Sequence, residues 1–168
     1  MQFIGVAAVM LASLGIGIQS IRQRRRRLRC LRGLSDALAY LVGELSGKRS
    51  PLTDLILSVC QHTSGDVRSF FMCLSESLSK LGKKSFSDLW RTAADRYLLL
   101  TDEERSEWIG LGEQLGRTEL TRQIAMLDRC REFILLSFDK ERSALQNDRR
   151  ILLGIPAAAG ALLSILLL

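Results

Sequence analysis

The sequence has one histidine, two prolines and four cysteines with no Cys-x-x-Cys pair. Zinc needs three or four ligands at workable spacing, and Cys30, Cys60, Cys73 and Cys130 are too scattered to supply them, so no metal is expected. Cys60 and His62 make no nucleophile pair either, because residues two apart on a helix point to different sides. In a reducing cytoplasm such cysteines act as small apolar residues, and Cys73 and Cys130 fall on apolar helical faces. "LGKKS", Leu81 to Ser85, looks like the end of a phosphate-binding loop. That loop needs a glycine where Ser77 stands and a strand before it, so the stretch reads as a helix end with solvated lysines. Runs of alternating Val, Ile, Thr and aromatic residues are missing, as is an Asn-Gly hairpin, which excludes a β-rich fold. No catalytic residue and no cofactor is expected, and the chain is not expected to be an enzyme.

Charge is absent from two long stretches. "FIGVAAVMLASLGIGI", Phe3 to Ile18, and "ILLGIPAAAGALLSILLL", Ile151 to Leu168, contain no charged residue. With Gln19 to Ile21, the first makes about nineteen residues, roughly 28 Å of helix, close to the hydrocarbon thickness of a bilayer. Only Met1 and Gln2 precede it, so the positive region of a signal peptide is missing. A buried core helix would not be uncharged for so long and then end in arginine. The last stretch lacks the small-residue site and polar spacer of a lipid-anchor signal.

The positive charge lies beside these runs. Seven arginines stand between Arg22 and Arg32, and setting them aside takes the net charge from +6 to −1. A nucleic-acid-binding domain spreads its basic residues over a folded face, so nucleic acid is not an expected partner. Arginine beside a span marks the cytoplasmic side. Arg22, Arg24, Arg25, Arg26, Arg27 and Arg29 follow the first run, and Arg149 and Arg150 precede the second. Both clusters place the middle of the chain in the cytoplasm. The expected organisation is a transmembrane helix over 1–21, a cytoplasmic helical domain over 22–150 and a transmembrane helix over 151–168. The arginine arm can also touch anionic lipid headgroups. The alternative is an anchored protein that uses Arg22 to Arg32 to hold anionic lipid or nucleic acid, and its binding would fall steeply with salt.

The middle reads as six helices, an all-α bundle of about 120 residues, large enough for its own core. Leu28, Leu31, Leu38, Leu41 and Leu45 form one stripe on a first helix continuous with the first span. Gly47 suits its end, and Ser50 with Pro51 suits the start of a second helix running to about His62. Gly65 and Asp66 mark a turn before a third, which points Val67, Phe70, Phe71, Leu74, Leu78 and Leu81 inward. Ser85 with Asp88, and Thr101 with Glu104, carry the capping-box pattern for a fourth and a fifth. The fourth holds Leu89, Trp90, Ala93 and Tyr97, and the fifth ends near Gly116. A sixth starts near Thr118 with Leu120, Ile124, Leu127, Ile134 and Phe138 on one face, and runs into the second span. The long first and last helices should pack as an antiparallel pair, with the short ones folded against them.

Glycine is left without an explanation in "IGLGEQLGRTEL", where Gly110, Gly112 and Gly116 interrupt or end a helix. Glycine inside a helix costs about 1 kcal/mol relative to alanine. Either another helix of the bundle approaches closely there, or a partner protein does. Glu113 and Glu119 flank the glycines, are too polar to bury unpaired, and should be partly exposed.

"GELSGKRSPL" (Gly43 to Leu52), "LGEQLGRTELTRQ" (Leu111 to Gln123) and the charge-free run after "NDRR" resemble the stage III sporulation protein AB family of endospore-forming bacteria. The resemblance covers essentially the whole chain. Thr118 and Glu119 stand where the family often has Asp, and the arginine cluster is denser than the family's. The resemblance implies a membrane component of a multiprotein, secretion-like channel between mother cell and forespore, on the mother-cell side. It also implies a helical domain similar to that of the inner-membrane platform protein of type II secretion. By analogy the partners are other stage III sporulation proteins, above all the complex's ATPase, stage III sporulation protein AA, and a homo-oligomer is compatible with this. The candidate partner-binding residues are Glu44, Gly112, Glu113, Gly116, Glu119 and Gln123.

Overall fold

The computed structural model describes the backbone of residues 2–47, 51–78, 85–115 and 119–166, and the side chains of 21–47, 51, 53–78, 85–115 and 119–147. The architecture is all-α. Helices α1 (Gln2–Gly47), α2 (Leu52–His62), α3 (Gly65–Leu78), α4 (Phe86–Tyr97), α5 (Asp102–Gln114) and α6 (Leu120–Leu166) follow one another, with no strand among the described residues. The chain divides into two compact units, one of Met1–Arg26 with Asp139–Leu168 and one of Arg27–Phe138.

Helix starts and stops follow local chemistry. At α4 the Ser85 hydroxyl accepts the Asp88 backbone N–H at 3.2 Å. At α5 the capping box is complete: Thr101 accepts the Glu104 N–H, and Glu104 accepts the Thr101 N–H at 2.8 Å. At α2 it is Pro51 that occupies the cap, one place later than the sequence suggests. Its ψ of 147° keeps it extended while its carbonyl accepts the N–H groups of Asp54 and Leu55. Gly65 opens α3 at φ +60°, a left-handed backbone that favours glycine.

The core belongs to the second unit. The stripe on α1 is buried at Leu31, Leu34, Leu38, Leu41 and Leu45, with Leu28 half-buried. Helix α6 contributes Leu127, Cys130 and Ile134, and partly buried Ile124 and Phe138 pack against the core. Leu120 is exposed, because as the first residue of α6 it lies beyond the last packed turn. Helices α2 to α5 pack each on the next. Their centre is aromatic: Phe70 meets Phe71 and Trp90 edge-on, both at 4.9 Å between centroids, and Trp90 stacks on Trp108 at 5.2 Å. Such pairs are worth about 0.5–1.5 kcal/mol each beyond the area they bury. Leu78 is half-buried, and Leu81, with "LGKK", lies outside the described residues.

In the first unit Arg24 of α1 and Glu141 of α6 stand 4.0 Å apart, so the two long helices are neighbours at that level. Both terminal runs have a helical backbone as far as Leu166, but their side chains, and those of Arg149 and Arg150, are outside the described residues. Among the described residues no helix is long and apolar enough to cross a membrane.

Candidate partner-docking site

Gly112 has its explanation inside the chain. It is buried at the level of Trp90, and a Cβ there would overlap the Trp90 indole. The indole is fixed in turn, because its N–H donates to the Trp108 carbonyl at 2.9 Å. The close approach expected at this glycine is therefore that of α4 on α5. Gly110 is different: a Cβ added there would have nothing within 4 Å. Gly116 lies outside the described residues.

Glu113, the next residue after Gly112, is half exposed as expected, and it accepts a hydrogen bond from Arg91 of α4 at 3.0 Å. A second pair ties the same two helices, with Arg105 of α5 making two bonds to the Asp95 carboxylate at 2.6 and 2.8 Å. The Arg105 guanidinium holds the Asp95 carboxyl below its ordinary range, and its own affinity for the proton rises in return. Glu119 is exposed, and its carbonyl accepts the Gln123 N–H at the start of α6. Glu44 is half-buried on α1 and Gln123 half-buried on α6. Glu113 and Glu119 thus lie on the surface on either side of the loop that joins α5 to α6, with Gln123 one turn into α6.

Three features escaped the sequence reading. Arg27, counted there with the membrane-flanking arginines, belongs to the second unit and is tied to its helices. It bonds the Glu104 carboxylate at 2.7 Å and the Leu99 carbonyl at 3.2 Å. Glu104 is 3% exposed, so this acid of the first turn is also a buried ion-pair partner. The third is a groove of about 290 Å3 between α5 and α6, lined among others by Ser106, Glu107, Gly110, Met126 and Arg129. A second depression, of about 430 Å3 on the α4 side of α5, shares Ser106 and Gly110 and includes Arg91 and Glu113.

The remaining chemistry-bearing side chains are accounted for by packing. His62 stacks on Tyr40 at 4.3 Å and bonds the Ser58 carbonyl at 2.9 Å at the end of α2. Cys30, Cys60 and Cys130 are buried, and Cys73 is half-buried. Burial pushes the Cys30 thiol up and drives that of Cys130 to about 12, with the nearby Glu107 charge adding to the latter. Thiols held in this way are poor nucleophiles. No group of three possible metal ligands occurs among the described residues.

The family model for stage III sporulation protein AB matches residues 2–168. The chain belongs to the stage III sporulation protein AB family. A solved structure titled stage III sporulation protein AB is similar, with a TM-score of 0.63 and 22% identity over 72% of this chain and 97% of that one. At that identity the likeness shows a shared fold. None of the curated proteins matches the chain. Membership assigns the protein a role in sporulation.

Proposed function

We propose that this member of the family is a non-enzymatic membrane adaptor in a secretion-like channel complex for endospore formation. It presents its helical domain to the cytoplasm and docks the complex's ATPase, stage III sporulation protein AA. The observation that carries the reading is the placement of charge. Two uncharged runs, Phe3 to Ile18 and Ile151 to Leu168, each carry arginines on the side toward the middle of the chain. A soluble bundle has no need of this arrangement, whereas a two-span protein with a cytoplasmic centre does. The exposed arginines Arg22, Arg25 and Arg29 would then also meet anionic headgroups.

The α5–α6 corner, with Glu113 and Glu119, is the surface proposed to meet the ATPase. Crosslinking and pull-down from sporulating cells test this. The full-length protein should recover the ATPase. Glu113→Arg or Glu119→Arg should abolish spore formation and recovery at normal protein level, membrane insertion and helicity. Normal sporulation and recovery in both variants would place the contact elsewhere. Binding to anionic vesicles that is lost with salt, combined with no recovery of the ATPase, would favour the reading of the protein as an anionic-ligand binder.

A further inference from the structure

The seven arginines between Arg22 and Arg32 divide by what they touch. Arg24 is paired with Glu141, Arg27 with Glu104, and Arg32 with Asp36 at 3.5 Å. Arg26 also interacts within the chain. Arg22, Arg25 and Arg29 are exposed, and none of them takes part in an ion pair among the described residues. Their spacing of three and four places them on one face of α1, and the core stripe from Leu31 to Leu45 lies on the other.

Marking the cytoplasmic side of a span needs only positive charge, and lysine serves there as well as arginine. The cluster contains no lysine, although the chain carries lysine elsewhere, at Lys83, Lys84 and Lys140 among others. A guanidinium fork matches two phosphate oxygens at once, which an ammonium does not. Depth then separates the three exposed arginines. At about 1.5 Å of rise per residue, Arg22 lies roughly 2 Å and Arg25 roughly 6 Å beyond Ile21, where the uncharged run ends. Arg29 lies roughly 12 Å beyond it. The headgroup layer on each side of a bilayer is about 5–8 Å thick, so it takes in Arg22 and Arg25 and stops short of Arg29.

We propose that Arg22 and Arg25 form a phosphate-binding site for an anionic lipid, of the phosphatidylglycerol class, at the headgroup level of the membrane. Each guanidinium donates to the phosphate oxygens of a headgroup, while Arg24 ties the same stretch of α1 to Glu141 of α6. A zwitterionic headgroup also has a phosphate, but its own ammonium repels the two arginines. This deepens the two-span reading proposed above and rests on it. There, headgroup contact only accompanies insertion; here, two residues select the lipid, and Arg29 and Arg32 contribute little.

The test uses the full-length protein in vesicles of equal parts phosphatidylglycerol and phosphatidylcholine. Each lipid in turn is supplied in photoactivatable form, and the ratio of the two crosslinking yields on α1 is read. Alkaline carbonate extraction of the same vesicles reports insertion. The wild-type protein should resist extraction and favour phosphatidylglycerol by about tenfold or more. Arg22→Gln and Arg25→Gln should each lower that ratio by about fivefold, whereas Arg29→Gln and Arg32→Gln should stay within about twofold of the wild type. Helicity should not change in Arg22→Gln or Arg25→Gln, because no ion pair within the chain is lost, and the arginines that remain still orient the span. A wild-type protein that resists carbonate but crosslinks equally to both lipids would overturn the site and leave the spans standing. Equal losses at all four arginines, or displacement of the lipid by a DNA oligonucleotide, would make the cluster a general polyanion-binding arm and overturn the proposal. Release of the wild-type protein by carbonate would end the two-span reading and this proposal together.

Discussion

Trp90 decides what residue 112 can be. The indole is nearly fully buried and held by its bond to the Trp108 carbonyl, so it cannot yield to a new methyl group. Gly112→Ala should destabilise the protein by about 1–3 kcal/mol, the usual cost of overpacking. Gly110→Ala should be neutral or stabilise it by up to about 1 kcal/mol. Denaturant titration of the two variants checks the contrast, and equal effects would mean that the two glycines serve the same purpose. Cys130 supports a second prediction. Burial raises its thiol from the ordinary 9.0 to about 12 in the folded protein. Below about pH 9 both states keep the proton and the group leaves stability unchanged. Between these values the unfolded chain loses the proton more readily, so stability falls as pH rises, and the fall ends above the folded value. Melting temperature measured between about pH 8 and about pH 10 should therefore drop less in Cys130→Ala than in the wild type. Cys130 on an apolar helical face was legible in the sequence. The purpose of Gly112 was not, because it requires knowing which face of α4 lies over it.

At the scale of the elements, the helix ends were the most readable part. Ser85 and Thr101 cap their helices as the spacing of Asp88 and Glu104 indicates, since a cap is settled by residues within one turn. The second role of Glu104 was invisible for the opposite reason: its partner Arg27 is 77 positions away in the sequence. Arg27 also stood in a cluster whose charge already had a reason to be there. Thr101→Ala should cost about 1 kcal/mol, the usual value of a cap. Arg27→Met should cost more, about 3–5 kcal/mol, because it leaves the Glu104 carboxylate buried without its cation. Replacing both, Arg27→Met with Glu104→Leu, should recover part of that loss. Urea unfolding of the three variants reads the order directly. A loss at Arg27→Met no greater than at Thr101→Ala would show that the pair is solvated.

For the whole molecule, the all-α class and the number of helices followed from the 3.6-residue periodicity of leucine and from the missing strand signals. The boundary at α1 was legible because nothing breaks the helix between Phe3 and Gly47. The grooves beside α5 were not, since they arise from how α4, α5 and α6 pack and from no local pattern. Family membership over residues 2–168 gives the protein its place in sporulation. That two spans hold the chain with its helical domain in the cytoplasm is a proposal, motivated by the arginines beside the two uncharged runs. A pair of fusions with an enzyme active only outside the cytoplasm tests this most directly. Fused after Leu168 the enzyme should be active, and fused after Lys83 it should be silent. Activity at Lys83 with silence at Leu168 would contradict the account.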